Sequence, residues 1–114
     1  MTTPDPLARL ASAAQSLRGA THSGPRRTAL LARFYRVVEP VLEEREQLRA
    51  RIEHGYDRIG EERAALGVPV EDGAIEPADA RYQRAVDRWA GWLARYQEIE
   101  DALDAAATTG GVRV

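Results

Sequence analysis

A seam of apolar residues at alternating spacings of three and four runs through the middle of the chain. Eight of its eleven positions over five heptads are apolar: Leu31, Phe34, Val38, Val41, Leu48, Ile52, Ile59 and Leu66. The exceptions are Arg45, Gly55 and Glu62. Because this spacing keeps one face of an α-helix apolar, it predicts a single long helix with coiled-coil-like packing.

The length of that helix constrains the whole fold. If it runs from Pro25 to Leu66, it measures about 63 Å at 1.5 Å per residue, which exceeds the diameter of a small globule. Pro40 interrupts the backbone hydrogen bonding, so the sequence predicts a kink there or, alternatively, a fresh helix start. The apolar spacing continues through Pro40 and favours the kink.

Two further helices are predicted around the long one. The first spans residues 6–18, and its narrow apolar stripe is Leu7, Leu10, Ala14 and Leu17. The last spans residues 77–106, begins at Pro77 and has a wide apolar face made of Tyr82, Val86, Trp89, Leu93, Tyr96, Ile99 and Leu103. Residues 107–114 read as a flexible tail. We therefore expect one all-α domain over residues 1–114, an elongated helical hairpin or three-helix bundle.

The tryptophans of the last helix leave two interpretations open. Trp89 and Trp92 are either covered by the long helix of the same chain or serve as anchors for another molecule, since large aromatic side chains are common at interface hot spots. As a hypothesis, the interface residues are Trp89, Trp92, Tyr96, Phe34 and Tyr82.

The tripeptide Trp89-Ala90-Gly91 spells a W-x-G, and Tyr96 with Glu100 has the spacing of a Tyr-x-x-x-Asp/Glu motif. Both motifs occur in small secreted helical hairpins of the WXG100 type, where the W-x-G lies in the turn between two helices. Here the W-x-G falls inside a predicted helix, and only four residues separate Gly91 from Tyr96. The arrangement departs from that family, and the chain is not identified as a member.

Arginines of the N-terminal third form a second candidate site. Arg26 and Arg27 lie at the predicted start of the long helix, where free backbone amides could help them to hold an anion. Arg33 and Arg36 extend the same basic stretch. A nucleic-acid contact through these four residues is the alternative function, although a net charge of −2 with 16 basic and 18 acidic residues argues against a large basic footprint.

Other classes of protein have little support in the sequence. There is no cysteine, and His22 and His54 have no ligand partner at helical spacing, so we expect no metal, no cofactor and no enzymatic activity. Residues 71–76 lack the pattern of a calcium loop. The first ten residues do not resemble a signal peptide and no apolar run is long enough to span a membrane. We expect a cytoplasmic or particle-associated protein.

The functional expectation follows from the predicted architecture. A seam this long, with polar breaks at Arg45 and Glu62 that could set a register, suits a protein that works by binding other proteins, above all copies of itself. We expect a homo-oligomeric helical assembly or adaptor component, of the kind found in viral particles or among assembly chaperones.

Overall fold

The computed structural model describes residues 5–20, 23–68 and 76–114. These residues form three helices, α1 (Pro6–Gly19), α2 (Pro25–Ala65) and α3 (Ala80–Gly110), and contain no strand, which confirms the all-α class. None of the helices in the described ranges has the length and apolar character needed to cross a bilayer. His22 and residues 71–75 of the acidic turn lie outside the described residues.

Helix α1 begins where the sequence predicts. The Asp5 side chain accepts a hydrogen bond from the Leu7 amide (3.3 Å), and Pro6 occupies the first helical position, where its missing N–H costs nothing. The helix ends at Gly19, one residue later than predicted. Its last turn is completed by the Arg27 guanidinium, which donates to the Ala20 carbonyl at 2.7 Å.

Helix α2 is one helix with Pro40 inside it, so the interpretation of Pro40 as a fresh helix start is wrong. Its end is a Schellman motif around Gly67, whose φ is 73°. The Val68 amide donates to the Arg63 carbonyl (3.1 Å) and the Gly67 amide donates to the Ala64 carbonyl (3.0 Å). A glycine takes this left-handed conformation without strain, which explains why α2 stops here.

Helix α3 differs from the prediction at both ends. It begins at Ala80 and not at Pro77, because Asp79 is the N-cap and its carboxylate accepts from the Tyr82 amide at 2.9 Å. It continues to Gly110, so the tail predicted from residue 107 starts too early. Gly111, with a φ of 65°, ends the helix.

The residues that follow α3 are held by hydrogen bonds. The Val112 amide donates to the Ala107 carbonyl (3.1 Å), which closes the last turn of α3. Further along, the Tyr35 hydroxyl donates to the Arg113 carbonyl at 3.2 Å. Part of the segment predicted to be a flexible tail is therefore helix and helix cap.

The chain divides into two compact units, and unit 1 comprises Met1–Glu46 and Gln97–Val114. Its core is drawn from all three helices. At Gly110 of α3 there is space for little more than a hydrogen, because a Cβ there would lie 3.2 Å from Leu17 Cδ2 of α1. The buried apolar residues of unit 1 are Leu10, Ala13, Ala14, Leu17, Ala20, Phe34, Val38, Val41, Ile99, Leu103 and Ala106.

Unit 2 comprises Gln47–Tyr96. Its described part consists of the second half of α2 and the first half of α3, which run antiparallel: Arg49 contacts Tyr96 near one end and Arg63 contacts Tyr82 near the other. Among its described residues only Leu48, Arg63 and Tyr82 are buried. Two helices cannot enclose a core on all sides, so much of the apolar surface of unit 2 is half-exposed. The expectation of a single domain stays a prediction.

The cap of α3 is open to a direct test. Replacing Asp79 with Ala removes the acceptor for the Tyr82 amide, and we expect the free energy of unfolding to fall by about 1 kcal/mol. Asp79→Asn keeps an acceptor oxygen at the same place and serves as the control. Urea denaturation followed by circular dichroism measures both variants, and equal losses for Ala and Asn would contradict the capping role.

Candidate functional site

Both tryptophans of α3 lie against the backbone of α2 at Gly55. A Cβ added to Gly55 would lie 3.0 Å from Trp92 Cζ3 and 3.1 Å from Trp89 Cδ1, closer than side chains normally approach. The Trp89 indole N–H donates to the Ile52 carbonyl at 3.0 Å, which fixes the orientation of that ring. Both side chains are half-buried by this contact. Gly55 is therefore the place where two indole rings pack directly on the α2 backbone, and a side chain there would push these rings back.

The other two exceptions in the seam also have partners on α3. Within unit 1, Arg45 Nη1 lies 3.4 Å from Glu100 Oε1. Within unit 2, Glu62 Oε1 lies 3.2 Å from Arg81 Nε and 3.6 Å from Arg58 Nε. Arg45 and Glu62 thus each pair with one residue of α3, as a register-setting position should.

The remaining predicted interface residues are mostly internal. Phe34 has no exposed surface and belongs to the core of unit 1, and Tyr82 is 2% exposed in unit 2. As the chain is folded, neither side chain has a surface to offer to a partner, because their apolar rings are already covered. Tyr96 is half-buried, and its hydroxyl accepts from Arg49 Nη2 at 3.3 Å.

The buried residues Arg63 and Tyr82 form a polar cluster with the exposed Glu76 that the sequence did not reveal. Its Nη1 donates to Glu76 Oε1 (3.0 Å) and to the Tyr82 hydroxyl (3.3 Å), and that hydroxyl donates to the other oxygen of Glu76. The hydrogen bond to Tyr82 raises the pKa of the Arg63 guanidinium, with a further contribution from the charge of Glu76, against the opposing effect of burial. The cluster joins the end of α2 to the residues that lead into α3.

One edge of unit 2 is apolar and exposed. Leu93 is 42% exposed and Tyr56 is 63% exposed, and the Tyr56 ring lies 6.3 Å from that of Trp89. Leu93 was expected to pack against the long helix. It is partly exposed instead, and the side chains that lie at Gly55 of α2 are those of Trp89 and Trp92.

Leu93 belongs to an uncharged stripe along α3. The stripe follows helical spacings of three and four and consists of Gln83, Val86, Ala90 and Leu93. Val86 is half-buried and the other three residues are exposed. Ala90 and Leu93 interrupt a helix that is otherwise rich in arginine, so this stripe is a surface on which another helix could pack closely.

The four predicted arginines do not form one site. Arg27 is engaged with the carboxyl end of α1 and, with Arg26, borders a shallow cleft beside Gly24. Arg33 and Arg36 line a different cleft of about 410 Å³ in unit 1, together with Arg9. Arg33 and Arg36 therefore line one cleft, and Arg26 and Arg27 border another.

Another cleft lined by arginines lies in unit 2. It has a volume of about 340 Å³, and the residues that line it are His54, Gly55, Arg58, Glu62, Arg81, Arg84, Ala85, Arg88 and Trp92. Glu62 is the one acidic side chain among these described lining residues, and it pairs with Arg58 and Arg81. Arg84 and Arg88 make no ion pair with any residue that the structure describes.

This basic cleft was missed by the sequence analysis, although its signal is present. Arg81, Arg84 and Arg88 recur at spacings of three and four, which places them on one side of α3, as His54 and Arg58 are on one side of α2. What the spacing could not show is that these two sides border the same cleft. That arrangement depends on the rotation of α3 set by Trp92 at Gly55.

Comparison with protein-family models, with curated proteins and with solved structures finds no match to this chain. Within the described ranges, no group of three or more His, Asp or Glu side chains is arranged to hold a metal ion.

Two glycines of α2 make a matched test of the tryptophan contact. Nothing lies within 4 Å of a Cβ at Gly60, so Gly60→Ala should raise the free energy of unfolding by about 1 kcal/mol through helix propensity alone. Gly55→Ala gains the same propensity but forces two indoles apart, and we expect a net loss of about 1 kcal/mol. Chemical denaturation of both variants measures the difference, and equal stabilisation by the two would show that the indoles do not lie at Gly55.

Proposed function

We propose that this protein is a non-enzymatic helical interaction protein that assembles with copies of itself through the uncharged stripe of unit 2. The observation that supports this proposal is the exposure of Leu93 and Tyr56 on a two-helix unit. In unit 1, α1 contributes buried residues beside those of α2 and α3, but the described part of unit 2 has no third helix. A helix from another molecule would cover the edge that unit 2 leaves open.

A second copy of the chain is the partner that the chemistry of the stripe favours. Gln83, Val86, Ala90 and Leu93 carry no charge, so two such stripes can meet without repulsion. A symmetric dimer brings the same patch of both subunits together, and Ala90 leaves room for the close approach of two helices. The glutamine amides can donate to and accept from each other across such an interface.

Such a protein would be a structural component of a larger particle or an assembly chaperone, because both kinds of protein work through helical interfaces. The alternative of a nucleic-acid contact through Arg26, Arg27, Arg33 and Arg36 stays a prediction. The separation of these arginines into two clefts does not favour it.

Light scattering coupled to size-exclusion chromatography tests the proposed assembly. We expect the unmodified chain to have at least twice the monomer mass at about 100 μM. Leu93→Arg places a charge at one end of the stripe, and in a dimer that charge would be buried in an otherwise uncharged interface. We expect this variant to be monomeric and still helical, since Leu93 is already partly in solvent.

Leu66→Arg is the matched control, because Leu66 is 43% exposed and the substitution adds the same charge at the end of α2. Its mass should equal that of the unmodified chain. A monomeric unmodified chain at this concentration, or dissociation by Leu66→Arg as much as by Leu93→Arg, would contradict assembly through the stripe.

A further inference from the structure

We infer that the basic cleft of unit 2 is a binding site for a nucleotide unit, with the arginines of α3 holding the phosphate and Trp92 contacting the base. Such a unit can come from a free nucleotide or from a single strand of nucleic acid, and the two share this chemistry. The site is distinct from the proposed assembly surface. Arg84 and Leu93 are nine residues apart, so at about 100° per residue they lie on opposite sides of α3.

The charges in the cleft favour an anion. Arg84 and Arg88 are neighbours on one face of α3, and like charges at this spacing repel each other and destabilise a helix. Across the cleft, Glu62 already pairs with Arg58 and Arg81. Arg84 and Arg88 make no ion pair with the described residues, so both guanidiniums can bind a phosphate placed between them.

The indole ring of Trp92 favours a ligand that has an aromatic base in addition to a phosphate. Trp92 forms part of the lining, with one edge of its indole against Gly55. Aromatic side chains beside a basic groove are the usual platform on which a nucleotide base stacks. A volume of about 340 Å³ is at the lower end of ordinary ligand sites and suits a ligand of this size.

The cleft of unit 1 provides the natural comparison. It has three arginines, Arg9, Arg33 and Arg36, and its remaining lining residues are Pro6, Val37 and Pro40. It can attract an anion, but among the residues that line it there is no aromatic ring on which a base could stack. If the cleft of unit 2 binds a phosphate joined to a base more tightly than a phosphate alone, its binding is more than the attraction of an anion to arginine.

Isothermal titration of the full chain at low salt tests the inference with four probes: adenosine monophosphate, adenosine, inorganic phosphate and an octathymidylate strand. We expect the monophosphate to bind about tenfold more tightly than adenosine or inorganic phosphate, since only it uses both parts of the site. Tighter binding of octathymidylate than of the monophosphate identifies a nucleic-acid strand as the source, and equal or weaker binding identifies a free nucleotide.

Two double variants with the same change of charge locate the site. Arg84→Gln with Arg88→Gln should weaken binding of the monophosphate about tenfold, whereas Arg33→Gln with Arg36→Gln should leave it unchanged. All four side chains are exposed, so both variants should keep the helical content of the unmodified chain. The inference is overturned if the monophosphate does not bind at millimolar concentration, if inorganic phosphate binds equally well, or if the second double variant loses as much as the first.

Discussion

The packing of Trp89 and Trp92 on Gly55 is the contact on which unit 2 depends. The two helices of this unit bury few residues, so few other contacts fix their separation and their relative rotation. The packing of two indoles on a glycine fixes the separation and the rotation together. The hydrogen bond from Trp89 to the Ile52 carbonyl adds a direction to an otherwise non-directional contact. Because Trp92 occupies the space at Gly55, the rest of α3 in this unit takes its orientation from that one position.

In that orientation, one side of α3 is basic and the opposite side is uncharged. Arg81, Arg84 and Arg88 border the basic cleft, whereas Leu93 and the uncharged stripe face the opposite way. A protein with this arrangement could assemble through one side and bind an anionic ligand with the other, and neither activity would require the other to change. The proposals for the two sides are therefore independent, and each can fail without the other.

Much of the fold could be predicted from the sequence, because helices are encoded by local spacing and by their ends. The seam correctly identified Phe34, Val38, Val41 and Leu48 as buried. It failed near its end, where Arg63 is buried and Leu66 is exposed. A repeat of 3.5 residues drifts by about 20° per heptad on a helix of 3.6 residues per turn, so a strict heptad count no longer marks the buried face after five heptads. The basic cleft was not predictable from spacing, since it requires the rotation of α3 relative to α2 within unit 2.

The most direct test of the tryptophan packing is a nuclear Overhauser measurement on isotopically labelled protein. The account predicts cross-peaks from the Gly55 α-protons to the Hζ3 proton of Trp92 and the Hδ1 proton of Trp89 within one chain. In a mixture of labelled and unlabelled chains, a filtered experiment that reports only contacts between molecules should not contain these cross-peaks. Their presence only in the filtered experiment would show that the tryptophans are covered by a neighbouring molecule and would contradict the account.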